Sequence, residues 1–393
     1  MIPRIPKFPF GRKSFFLFGP RQVGKSTLVS DALSDMRHIE IDLLKSDVLL
    51  KYKTNPELLR REVNFQVKTE RPLIIFIDEI QKAPELLNEI HHLIERHREQ
   101  VSFVMTGSSA RKLKRASVNM LAGRAWEFRL FPLTHKELGD RFLLEDILLR
   151  GSLPSVVHDD LHDAFRTLHA YTRTYLKEEV LDEALVRNIS AFSRFLDLAA
   201  DQSGKIVSFS TLSRDAGVSS KTVKAYYQIL EDTLIALKLE PYLKSARKRL
   251  VRHPKYYLFD LGCVNALVGR TRPASIRLPS VYGVLFEHFV ILEIYRLLCY
   301  SERFFRLYHW RSAHGAKVDL VVEREEGLLA IEIKSTPIVK SGDLTGLRSF
   351  IHDYPDANPV CVTHADRPYL VGEIPVIPWK TLFDPAWLDM SCG

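Results

Sequence analysis

Residues 15–33 read FFLFGPRQVGKSTLVSDAL: an apolar run, a tight turn and a Lys-Ser-Thr step in close succession. Gly19-Pro20-Arg21-Gln22-Val23-Gly24-Lys25-Ser26 fits G-x-x-x-x-G-K-[ST] in full. The apolar run predicts a buried strand that stops at the first glycine. A helix follows, with Leu28, Val29 and Leu33 on its inward face. A helix N-terminus offers unpaired N–H groups and a partial positive charge to an anion. Gly19 and Gly24 let the backbone close around phosphates where a side chain would clash. Lys25 is placed to reach the β and γ phosphates, and the Ser26 hydroxyl to ligate magnesium, with Thr27 beside it. The stretch 19–27 therefore points to ATP and Mg²⁺.

Working outward, PLIIFIDEIQK (72–82) is a second buried strand that ends in an acidic pair. In open α/β sheets the carboxyl ends of the strands are where ligands bind. Asp78 is expected to hold the metal and Glu79 to polarise the attacking water, which makes the reaction a hydrolysis. FVMTGSSARKL (103–113) is a third strand with a polar end, where Thr106, Ser108 or Ser109 would sense the γ-phosphate or orient the water. Together with HIEIDLL (38–44) and AWEFRLFPL (125–133), these runs alternate with helical stretches such as APELLNEIHHLIERH (83–97). The alternation predicts an α/β fold: a mainly parallel sheet flanked by helices.

The 393 residues allow two to four domains, with 46% apolar and 26% charged residues as in ordinary soluble proteins. A net charge of +8 suits a polyanionic partner such as DNA. The four cysteines show no paired spacing, which suits a reducing compartment. No apolar run approaches the length that crosses a bilayer, so the expectation is a cytoplasmic protein with no membrane partner.

From about Thr134 to Ala200 the pattern is mostly helical, interrupted at LRGSLPS (149–155). After Gly204, STLSRDAGVSSKTVKAYYQILEDTLIALKLEPY (210–242) reads as helix, turn, helix and strand, with Gly217 as the stop and Ser219 or Ser220 as the next cap. Val223, Tyr226, Tyr227 and Leu230 share one helical face, and Lys221, Lys224 and Gln228 another, where a DNA-reading helix displays its contacts. Lys244, Arg247, Lys248, Arg249, Arg252 and Lys255 form a basic stretch with the character of a phosphate-contacting wing. In the last third, an apolar helix around VLFEHFVILEIYRLL (284–298) precedes four strand-like runs.

GPRQVGKST, IFIDEIQK, TGSSARKL, LAGR, FPLTHKEL and RGSLPSVV occur in that order, followed by PKYYLFDLG, LFEHFVILE and VDLVVE…IEIKS. The series resembles the prokaryotic AAA-type ATPases that carry a C-terminal domain of unknown function. The resemblance implies an AAA-type P-loop core (1–135), a helical lid or linker (136–203), a winged helix (204–275) and a restriction-endonuclease-like domain (276–393). It also implies that Arg124, in LAGR, is an arginine finger, worth about 10³ to 10⁵ in rate where one operates. A finger acting in trans would make the protein a homo-oligomer.

Asp319, Glu332 and Lys334 match the Asp…Glu-x-Lys core of restriction-like nucleases. There the carboxylates would hold a second divalent metal and the lysine would stabilise developing negative charge. Glu287, in the preceding helix, is a further acidic candidate. The sequence departs from that pattern at Lys317, where an acidic residue often stands two positions before the aspartate. Three readings of the C-terminal half stay open: a DNA-binding or DNA-processing unit driven by ATP, an ATP-regulated metal-dependent nuclease, or a nucleotide-controlled switch with an inactive nuclease-like domain.

Overall fold

The computed structural model describes residues 2–69, 72–108, 111, 113, 121, 123–175, 188–243, 253–384 and 387–388. The N-terminal region holds a five-stranded sheet in the order β2-β3-β4-β1-β5, all parallel, built from β1 (Ser14–Phe18), β2 (His38–Asp42), β3 (Leu73–Asp78), β4 (Val101–Gly107) and β5 (Ala125–Arg129). Successive side chains of a strand point to opposite faces, and β1 follows that rule. Phe15 and Leu17 join the core on the side of helix α1 (Lys25–Leu33), with Val29 and Leu33. Phe16 and Phe18 join the other face, covered by α3 (Glu57–Thr69) and α4 (Leu86–His97), while α2 (Ser46–Thr54) lies alongside α3. Both faces are thus dry along β1, β3 and β4, which is why these three read as continuous apolar runs, whereas β2 and β5 at the sheet edges are partly exposed.

The α1 face is not closed by the N-terminal region alone. Its core continues without a break through Leu130, Leu148, Phe165 and Phe195 to Phe286, Ile291 and Ile331. Helix Pro279–Tyr300 lies within this continuous core. Two glycines allow the chain to pass closely here. Gly151 sits at φ 73, and a Cβ there would meet Asp260 Oδ1 at 2.1 Å; a Cβ on Gly262 would meet the Arg150 carbonyl at the same distance. The buried Asp260 carboxylate accepts N–H groups from Ser152 and Cys263, so RGSLP and LFDLG are the two halves of one junction.

Helices Ile189–Asp201, Phe209–Ala216 and Ser220–Asp232 pack together ahead of the antiparallel hairpin β6 (Ala236–Pro241) and β7 (Lys255–Leu258). Ser208 and Ser219 cap the second and third of these helices, and Gly217 ends the second in the left-handed conformation. The hairpin is also the edge of an eight-stranded sheet in the order β12-β13-β11-β10-β9-β8-β6-β7. Its other strands are β8 (Phe305–Arg311), β9 (Lys317–Arg324), β10 (Gly327–Ile333), β11 (Asn358–Thr363), β12 (Tyr369–Val371) and β13 (Ile374–Pro378). The join is the parallel pairing of Glu240 and Pro241 with Tyr308 and His309. No helix among the described residues is long and apolar enough to cross a membrane.

Candidate functional site

Strand β4 lies between β1 and β3, so the loop after β1 and the acidic end of β3 are about 10 Å apart, two strand spacings. Side chains close that gap. Ser26 Oγ lies 2.9 and 2.8 Å from the two carboxylate oxygens of Asp78. Lys25 is 5% exposed and its Nζ donates to the carbonyls of Gly19 (2.8 Å) and Pro20 (3.0 Å). Gly19 has no room for a side chain: a Cβ would stand 2.2 Å from the Leu130 carbonyl oxygen. Gly24 adopts φ 90 at the helix entrance, and Gln22 is left-handed at φ 61. Val23 is fully buried, while Arg21 is half-buried and Thr27 exposed.

One hydroxyl arranges both acids. Thr106 Oγ1, at the end of β4, donates to Asp78 Oδ1 and accepts the Glu79 N–H at 3.2 Å. Burial pushes the Asp78 carboxyl above its usual range, opposed by the Thr106 and Ser26 hydroxyls and by Lys25. Such a carboxyl gains from a cation, and Ser26 and Asp78 are hard oxygen donors of the kind magnesium takes. The donor set fits Mg²⁺. Glu79 is buried at φ 59, a conformation that costs a non-glycine residue about 1–2 kcal/mol. Its carboxylate accepts from Gln81 Nε2, which also lies 3.3 Å from Ser108 Oγ. Gln81 went unmarked in the sequence; its only signal is its place two residues after the glutamate.

Arg124 stands elsewhere. Ala125 pairs with Ser14, the first residue of β1, whereas the phosphate loop leaves from the far end at Phe18. Arg124 therefore lies at the opposite edge of the sheet, where its guanidinium contacts Glu95 of α4, at 2.8 Å from Nε. Within one chain it does not meet Lys25. Ser109 and the basic residues Lys244, Arg247, Lys248, Arg249 and Arg252 fall outside the described residues. Lys255 is no wing contact: it is buried in β7 and pairs with Glu287 at 3.0 Å.

The second cluster does assemble. The β9–β10 register reaches Ile331 opposite Leu320, which brings Glu332 and Asp319 together at the next step. Asp319 accepts the Ile333 N–H at 3.0 Å. Each acid, however, carries an ammonium: Lys317 on Asp319 (3.1 Å), Lys334 on Glu332 (2.7 Å) and Lys255 on Glu287, which also accepts the Tyr257 hydroxyl at 2.7 Å. Burial, and then Asp319, push the Glu332 carboxyl up to about 8. Its Oε2 is buried without a hydrogen-bond partner. Among the described residues no three His, Cys, Asp or Glu side chains converge on a point that could hold a metal. This donor set, with one lysine per carboxylate, does not fit a divalent ion as it stands.

Comparison with known proteins bears on one part of the chain at a time. Residues 11–139 match the model of an AAA domain. That supports an AAA-type P-loop ATPase region at the N-terminus. Residues 141–274 and 282–382 match two domains of unknown function, DUF8612 and DUF4143. Uncharacterized proteins of Mycobacterium tuberculosis and Mycobacterium bovis are each 27% identical over 372 residues, covering 91% of this chain and 81% of their own. An uncharacterized protein of Haemophilus influenzae is 24% identical over 248 residues, 58% of this chain and 59% of its own.

Proposed function

We propose that the protein hydrolyses ATP with Mg²⁺ at the loop 19–27 and uses the nucleotide state to move or gate a DNA-contacting C-terminal half. The observation that carries the reading is the meeting of Lys25, Ser26, Asp78 and Glu79 at one edge of the parallel sheet. The loop amides and Lys25 bind the phosphates. Ser26 and Asp78 hold the metal, which neutralises charge on the phosphate oxygens when bound. Glu79, steadied by Thr106 and Gln81, orients the water and draws its proton.

Coupling is supported by Arg111, just beyond the polar end of β4, which pairs with Asp232 at the end of helix Ser220–Asp232 (2.7 Å). We read that helix and the β6–β7 hairpin as a winged helix. Lys221, Lys224 and Gln228 are exposed on its outer face and Val223, Tyr226, Tyr227 and Leu230 are buried, the division a DNA-reading helix needs. Residues 276–393 are read as a restriction-endonuclease-like unit, and Arg124 as a finger that serves the nucleotide of a second copy.

The decisive experiment measures ATP turnover and plasmid cleavage in parallel, with and without DNA. Turnover that DNA stimulates and that Lys25→Ala abolishes supports the reading; turnover indifferent to Lys25 overturns it. The nuclease alternative draws on the unpartnered Glu332 Oε2 beside Asp319. It requires cleavage that vanishes in Asp319→Ala. The lysine on each carboxylate favours the other alternative, a switch with an inactive nuclease-like unit. That reading requires turnover that DNA leaves slow and a protease pattern that differs between ADP and an ATP analogue.

A further inference from the structure

The phosphate loop is held from outside by residues that belong to no nucleotide-binding motif. Arg4, 5% exposed at its side chain, donates Nη1 to the Val23 carbonyl at 2.9 Å. A peptide group is planar and trans, so its C=O and N–H point in opposite directions. Fixing the Val23 oxygen on the Arg4 side turns the Gly24 N–H to the other side of the loop. The Tyr171 hydroxyl, 3.3 Å from the Arg21 carbonyl, acts in the same sense on the Gln22 N–H. With Lys25 on the carbonyls of Gly19 and Pro20, four of the loop's oxygens are engaged by donors. A polyphosphate is attracted by amide hydrogens and repelled by carbonyl oxygens, so a loop that receives one needs its oxygens turned away and kept there.

The guanidinium has further partners that decide where it sits. Its Nε donates to Glu137 at 2.9 Å, and Nη2 to the Phe131 carbonyl at 2.6 Å and the Tyr300 hydroxyl at 3.3 Å. Tyr300 ends the long helix Pro279–Tyr300 and also accepts the Phe131 N–H at 3.0 Å. A rigid fork with five donors can serve all these groups at once, which a lysine cannot.

We propose that Arg4 is a positioning residue of the phosphate loop, assisted by Tyr171, and that it makes the loop's shape depend on how the helix ending at Tyr300 is seated. The proposal rests on the nucleotide-site reading above. Its test is the affinity of the full-length chain for ADP, ATP and AMP with Mg²⁺, by titration calorimetry, in wild type, Arg4→Lys, Tyr171→Phe, Tyr300→Phe and Lys25→Ala. Thermal midpoints without nucleotide are followed alongside. Arg4→Lys is expected to lose about tenfold or more for ADP and ATP, and the two Phe variants a few-fold. AMP, which lacks the β and γ phosphates, is expected to lose less affinity in each variant than ADP and ATP do. Tyr171→Phe and Tyr300→Phe keep the buried rings, so they decide the matter if Arg4→Lys does not fold. Wild-type affinity for ADP and ATP in all three, with Lys25→Ala impaired, overturns the proposal and leaves the nucleotide site standing. A wild-type chain that binds neither nucleotide, or a Lys25→Ala chain that binds both normally, overturns the nucleotide site and the proposal with it.

Discussion

Asp78 and Glu79, to which the proposed reaction gives different tasks, share one threonine. Removing only the Thr106 hydroxyl, in Thr106→Val, takes one contact from the Asp78 carboxylate and one from the Glu79 N–H, and turnover is expected to fall about 10- to 100-fold in a steady-state ATPase assay while the fold persists. Glu79→Gln is expected to keep ATP affinity and lose at least about 100-fold in turnover; equal losses in both would assign Glu79 a structural part. At the second cluster the sign of a pH effect is fixed. The folded Glu332 titrates near 8, above the ordinary carboxyl value of 4.5, so the native state binds the extra proton between those values. Its contribution to stability is present at acidic pH and is lost as pH rises towards 8. Glu332→Gln is therefore expected to gain stability relative to wild type across that window, measured by urea unfolding at pH 5 and pH 8.

The elements around the nucleotide site were legible because their signals are local: a motif of eight residues, an apolar strand, an acidic end. Arg4 was not, since its ion-pair partner Glu137 is 133 positions away and nothing at residues 1–10 announces it. The same distance hid Asp260, whose partner Ser152 is 108 positions away, although RGSLPS had shown itself as a break in the helical pattern. Lys255 looked like one more wing lysine because burial cannot be read from a basic run. At the junction of these elements, Gly151→Ala is expected to cost more than about 2 kcal/mol in urea unfolding, since it adds a strained φ and a collision with a carboxylate. Gly123→Ala, also at positive φ but with no atom of the described residues near its Cβ, shares the strain and is expected to cost less.

For the whole molecule, the periodicity separated an ATPase-like first third from the remaining two thirds, but it could not show that the two share a core. That sharing has a measurable outcome. A fragment of residues 1–139 would lose part of its covering: Phe131 would give up the rings of Tyr295 and Tyr300, and His135 those of Trp379 and Phe383. The fragment is expected to bind a hydrophobic dye and elute as aggregate in gel filtration, where the intact chain does neither.

Two residues near the middle of the chain carry a mechanical consequence. Because Glu240 and Pro241 are stitched to Tyr308 and His309, the hairpin belongs to the eight-stranded sheet, and the two are expected to move together. If the proposed coupling runs from Arg111 to Asp232, a spin label on Ser220 and another on Thr345 are expected to keep their separation between the nucleotide-free and ATP-analogue states.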